Sequence, residues 1–309
     1  MHIGVIGSGN FSIEVFNSLK KMYGISIIGG YDSIQASNFK TFKTLDDLLI
    51  SVDIVLVLDM LSCNYVTLST ILKKSKHLYI ESPGLLSRRD LSRLELLSQE
   101  ARVVLQIGLK QRFYNFYDDL EKHDVLPRMI DARRHIKFNI NTTQLSVVDD
   151  LMQHDIDVIL GLVNSDVKSI NSNAVGVYYK DPDIVNCRIE FYNGCVANIS
   201  ASKIADTDIH LTELFQNNFH CVINFLDQYV QVQSSQSHVG DLKKDWGVRS
   251  NYNHGKDDYI FMLTKEIQAL QHSILNNIEP FAGISQYLQL QSVTGKIKEQ
   301  LERNFTANV

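Results

Sequence analysis

The stretch HIGVIGSGNFS, residues 2–12, constrains the fold more than any other. An apolar run, Ile3 to Ile6, leads straight into Gly7-x-Gly9, and an amphipathic stretch from Phe11 to Met22 follows. This order reads as strand, tight glycine turn, helix. Glycines are needed in such a turn so that backbone amides at the helix N-terminus can approach a pyrophosphate. Ser12 stands where a third glycine would be, and it is small enough for close helix–strand packing. Alone the motif is a weak signal, because glycine turns are common. Its context strengthens it. The next strand, ISIIGGYD, ends in Asp32, at the distance expected of an acid that hydrogen-bonds the adenosine ribose hydroxyls. A turn-capping Asp is the competing reading. Asp32 would repel a 2′-phosphate and no Arg follows it closely, so NAD is favoured over NADP.

Further α/β units continue the pattern. Strands are expected at 53–58 (DIVLVL), 77–82 (HLYIES) and 103–109 (VVLQIGL), with helices near 62–75 and at 86–100. Alternation at this spacing implies a doubly wound parallel sheet, an α/β Rossmann domain. The style then changes. Val-, Ile- and Tyr-rich runs at 129–140, 167–179, 184–192, 195–203, 209–215, 218–226 and 228–233 are separated by turns such as Asn193-Gly194. A helix at 149–163 precedes most of them, and helices at about 257–275 and 285–304 follow. This predicts a second, α+β domain with a large, mostly antiparallel sheet. The expected division is 1–115 and 116–309, the last helix packing back on the first domain.

The helix at 149–163, DDLMQHDIDVILGLV, mixes charge with a core-like apolar content. At helical spacing Asp150, His154 and Asp157 fall at i, i+4 and i+7, on one face. Leu151, Met152, Ile156, Ile159, Leu160 and Val163 cover most of the rest. A buried carboxylate or imidazole is costly unless it is paired or faces a wet cleft. The plain alternative is an Asp–His pair that only holds the helix in place.

Composition excludes several classes. With 309 residues the chain can hold two domains with real cores. A formal net charge of −5 without a long basic run argues against a nucleic-acid partner. No apolar run approaches membrane-spanning length, and the N-terminal one is too short for a signal peptide. Cys63, Cys187, Cys195 and Cys221 form no CxxC pair, and no His cluster completes a metal site. They read as reduced thiols of a cytoplasmic protein.

The Rossmann half, followed by a second half whose helix opens with Asp150-x-x-x-His154-x-x-Asp157, resembles the glucose–fructose oxidoreductase/inositol dehydrogenase/MocA family. IESPG at 80–84 falls where that family carries Glu-Lys-Pro, and IGLKQRF at 107–113 where it carries a Gly and an Arg-Phe pair. DLMQHDIDVILGLV and IEFYNGCVANISASK (189–203) look closer still to one branch, the UDP-N-acetylglucosamine 3-dehydrogenases. The resemblance implies an NAD-dependent oxidoreductase acting on a sugar or sugar nucleotide, in that branch at the sugar 3-hydroxyl during lipid A precursor synthesis. It implies cofactor binding by Gly7, Gly9, Asn10, Phe11, Asp32, Glu81 and Pro83. Catalysis falls to His154, Asp150 and Ser82, and substrate contacts to Arg112, Asp157 and Lys203. A homodimer or homotetramer is expected, with the outer face of the sheet covered.

The sequence departs from the family at three points. The motif Lys is Ser82, the loop with the family's Pro and His is replaced within DMLSCN (59–64), and the Gly between Asp150 and His154 is Met152. Oxidising a secondary alcohol needs a base, and His154 with an unperturbed pKa of about 6.5 suits that role. Asp150 would orient the ring. Losing one preorganised donor costs on the order of 10²–10³ in rate. The alternative is therefore a silent relative that binds nucleotide or sugar as a sensor or scaffold. A third reading is an oxidoreductase on an unrelated substrate.

Overall fold

The computed structural model describes residues 1–7, 11–31, 40–59, 64–83, 86–114, 120, 125–139, 146–163, 165–178, 181–227, 229–234, 247–249 and 256–306, leaving out the side chains of 11–14, 234, 247–249, 256–258, 305 and 306. The chain forms two compact units. The first comprises Met1–Phe113 and Asn253–Leu288, the second Tyr114–Tyr252 and Gln289–Val309. The second half is thus not one block: residues 253–288 return to the first unit.

The first unit is a five-stranded parallel sheet. Its strands are β1 (His2–Ile6), β2 (Ser26–Tyr31), β3 (Ile54–Val57), β4 (His77–Ile80) and β5 (Leu105–Ile107). Their order is β2-β1-β3-β4-β5, so the direction of winding reverses between β1 and β3. All four residues of β3 are buried, as expected for a strand covered on both faces. Helices α1 (Phe11–Leu19), α2 (Leu45–Ser51), α3 (Tyr65–Lys73) and α4 (Arg88–Ala101) connect the strands. Three of them start on side-chain caps: Thr44, Asn64 and Ser87 accept from the amides of Asp47, Thr67 and Asp90. The later helix α6 (Lys256–Asn276) lays Leu263, Ile267 and Leu270 into the core formed by Ile3, Val5, Leu56 and Tyr79.

The second unit holds an eight-stranded sheet. It contains β6 (Met129–Lys137), β7 (Val167–Val175), β8 (Ile184–Phe191), β9 (Val196–Ala205), β10 (Ile209–Gln216), β11 (Phe219–Asn224), β12 (Tyr229–Ser234) and β13 (Gly247–Arg249). The order is β13-β12-β11-β10-β6-β9-β8-β7. Only the β6–β9 pair is parallel. Burial alternates along β8, the mark of a sheet with one core face. Helix α5 (Gln153–Leu162) supplies the core of this unit, with Ile156, Ile159 and Leu160 buried. The last helix, α7 (Ile284–Thr306), protects the β7 edge: Gln300 accepts from Ser172 N at 2.9 Å and donates to Ile170 O at 2.7 Å.

Candidate functional site

In the first unit the candidate groups collect at the carboxyl ends of the strands. Gly7 follows β1 directly at the reversal point and has φ +132°. A Cβ there would stand 2.9 Å from Asp59 Cβ and 3.0 Å from Asp59 N, so only glycine fits. Parallel sheets bind ligands in the crevice outside such a point. A bare backbone leaving β1 there fits a dinucleotide. Gly9, Asn10 and Asp32 lie outside the described residues, as does the Phe11 side chain. In the loop 59–64 the altered positions 60–63 also lie outside them.

Beyond β4, Ser82 is exposed and Pro83 buried. Glu81 is largely buried and accepts from Lys110 Nζ at 3.0 Å and from the Tyr259 hydroxyl at 2.5 Å. The Lys110 ammonium sits 4.0 Å from the centre of the Tyr259 ring. Burial, and then the Glu81 carboxylate, hold the Tyr259 phenol far above its usual range, so it stays protonated. Behind this group, Tyr79 donates to Glu266 Oε2 at 2.7 Å, and Gln106 Nε2 to the Glu266 backbone oxygen at 2.8 Å. Burial pushes the Glu266 carboxyl up to about 8. Gly108 makes this packing possible: a Cβ there would meet Glu81 O at 2.5 Å and the Tyr79 hydroxyl at 2.9 Å. Arg112 lies in a 3₁₀ turn, Lys110–Phe113, and is 5% exposed, its guanidinium 5.9 Å from the Phe281 ring centre.

In the second unit the charged helix begins with a π-helical turn, Val148–Met152, in which Gln153 N–H bonds to Val148 O five residues back. Regular 3.6-residue spacing therefore starts at Gln153, after Asp150, and the Asp150 carboxylate still acts on His154. Asp150 Oδ2 pairs with Lys203 Nζ at 2.9 Å, and that lysine is 8% exposed. His154 is pushed down to about 4, first by burial and then by the Arg134 guanidinium, against the opposing pull of Asp155 and Asp150. It is a neutral imidazole near pH 7. Asp157, predicted as a substrate contact, is 1% exposed. Its buried neighbour Asp155 holds His210 at 2.9 Å, and that imidazole stacks on Phe225.

Sequence reasoning missed Lys110, Tyr259 and Glu266, and it missed Asp155, His210 and Arg134. Lys110 stood inside the quoted IGLKQRF. Tyr259 and His210 come from elements 178 and 55 positions away from their partners, and no local pattern announces such pairings. Among the described residues no group of His, Cys, Asp and Glu could hold a metal ion.

No family model matches the chain. The UDP-N-acetylglucosamine 3-dehydrogenase of Acidithiobacillus ferrooxidans is 23% identical over 239 residues, covering 75% of this chain and 76% of the relative. The two proteins are distant homologues. A solved structure of that enzyme superposes with a TM-score of 0.80 at 21% identity, covering 99% of each chain. A dehydrogenase from Clostridium difficile gives 0.79 at 17% identity, over 97% of this chain and 99% of the other. A scyllo-inositol dehydrogenase from Lactobacillus casei, solved with NAD(H) and scyllo-inositol, gives 0.74 at 16%, over 98% and 97%. At these identities the structures establish a shared fold.

Proposed function

We propose that the chain is an NAD-dependent oxidoreductase that oxidises a secondary hydroxyl of a sugar or sugar nucleotide. The finer reading is the 3-hydroxyl of UDP-N-acetylglucosamine, a step toward lipid A precursors. The observation that carries it is His154, kept neutral by burial and by Arg134 on a helix whose Asp150 is tied to Lys203. The homology to a named sugar-nucleotide dehydrogenase and the glycine-only turn after β1 support the same reading.

The bound nicotinamide would supply the hydride acceptor. The rest of the work falls to the chain. Gly7 and Gly9, with Asn10 and Phe11, are assigned to the pyrophosphate. Asp32 takes the ribose hydroxyls, and Glu81 and Pro83 shape the edge beyond β4. His154, unprotonated near pH 7, accepts the hydroxyl proton. Asp150 stabilises the imidazolium, and its own charge is balanced by Lys203. Arg112 and Lys203 are the cations assigned to an anionic substrate group. Ser82 offers a hydroxyl at the reacting end. The chain is proposed to act in the cytoplasm, as a homodimer or homotetramer, which light scattering on the purified protein tests.

The deciding experiment follows NADH formation by the purified protein against a panel of UDP-sugars. Turnover that His154→Ala lowers on the order of 10²–10⁴-fold is the expected result. Tight NAD(H) binding without turnover on any sugar nucleotide would favour the silent-relative reading instead, the reading that the uncharged Ser82 motivates.

A further inference from the structure

Lys110 and Tyr259, which converge on Glu81, have no role in the reaction as described so far. Three elements build this group: the end of β4, the turn after β5, and α6. Lysine carries a large rotamer entropy, and an exposed ion pair contributes little to stability. This lysine is held on two sides all the same. Glu81 binds its ammonium at 3.0 Å, and the Tyr259 ring lies 4.0 Å away. The side chain is 32% exposed, and an ammonium carries three donors, one of which goes to Glu81 Oε1. Gly108, which no larger residue could replace without striking Glu81 O at 2.5 Å, brings β5 close enough for the pair to form.

The position matters as much as the contacts. In the strand order β2-β1-β3-β4-β5, β2 lies on one side and Gly7 follows β1 at the reversal point. A dinucleotide lying across the reversal carries its second half over β3 and β4. Strands are about 4.8 Å apart, so β4 is about 10 Å from β1. Lys110 and the exposed, uncharged Ser82 both follow strand ends on that far side.

We infer that Lys110 is a catalytic residue: its ammonium, aimed by Glu81 and Tyr259, meets the nicotinamide-bearing half of the cofactor and supplies the positive charge that Ser82 lacks. This rests on the NAD-dependent reading above. The oxidised nicotinamide ring is cationic and the reduced ring is neutral. A fixed ammonium nearby disfavours the oxidised form and so favours hydride acceptance. With the cofactor bound, the carbon bearing the hydroxyl would give its hydride to the oxidised ring and the hydroxyl its proton to His154, leaving a ketone and the reduced ring.

The test is the ratio of NAD⁺ to NADH dissociation constants, measured by calorimetry on wild type, Lys110→Gln, Lys110→Arg and the double variant Lys110→Gln/Ser82→Lys. Loss of a nearby unit charge should shift the ratio roughly tenfold toward NAD⁺ in Lys110→Gln. Lys110→Arg should retain the wild-type ratio, and Ser82→Lys should restore it in the double variant. If Lys110→Gln fails to fold, Lys110→Met, which keeps the aliphatic stem beside the Tyr259 ring, reads the same loss of charge, and an unshifted ratio there overturns the inference. Equal weakening of both forms, or no change, also overturns it while leaving the NAD-dependent reading intact. A wild-type protein that binds neither form removes that reading and this inference together.

Discussion

Glu266 offers the sharpest quantitative test of the first unit. It comes from α6, is fully buried against β4 and β5, and accepts the Tyr79 hydroxyl at 2.7 Å. Among the described residues its Oε1 has no hydrogen-bond partner. Burial raises its pKa from an ordinary 4.5 to about 8, the Tyr79 bond and the Lys110 charge opposing the rise. Folded and unfolded chains both hold the proton below pH 4.5, so no cost arises there. Between 4.5 and about 8 the unfolded chain releases a proton that the folded chain keeps, and stability falls by about 1.4 kcal/mol per pH unit. The loss stops above about 8. Glu266→Gln removes this dependence with almost no change in shape. From about pH 5 to about pH 8 the variant should therefore gain about 4 kcal/mol on the wild type, an order-of-magnitude figure. Urea unfolding of both proteins across that range measures it, and taking the difference cancels every other titrating group. A stability difference independent of pH would refute the reasoning. Tyr79→Phe provides a further check, since losing the hydroxyl that favours the carboxylate should carry the loss to higher pH.

Other outcomes follow from the same geometry. With His154 pushed down to about 4, the acid limb of the pH–kcat/KM profile should fall near that value and not near 6.5. His154→Ala should cost on the order of 10²–10⁴ in kcat. Lys203→Met leaves the partly buried Asp150 without its cation, and thermal unfolding should show a loss on the order of 2 kcal/mol. Gly108→Ala should cost about 1–3 kcal/mol by the same assay, because the new methyl meets a backbone oxygen at 2.5 Å. NAD(H) should bind more tightly than NADP(H) by calorimetry, and Asp32→Ala should narrow the gap, since Asp32 repels a 2′-phosphate.

Several features could be read from residue order alone because their causes are local. Apolar runs bounded by turns placed β6 to β12 within a few residues of their observed ends, since period-2 burial is written into each strand. The Gly7 turn was legible because a left-handed backbone beside Asp59 admits no other residue. Helix α2 was overlooked although Thr44-x-x-Asp47 caps it, being only 7 residues long with little periodicity to detect. Asp150 and His154 stood out as charges in an apolar run. The tertiary structure alone decided what those charges do. Lys203 neutralises Asp150 from β9, burial and Arg134 strip His154 of its proton, and Asp155 engages His210. The same holds for Lys110, Glu81 and Tyr259, and for α6 joining a sheet built from the first third of the chain. Pairing across such separations depends on where whole elements pack and on how much water they exclude, and no local periodicity encodes either quantity.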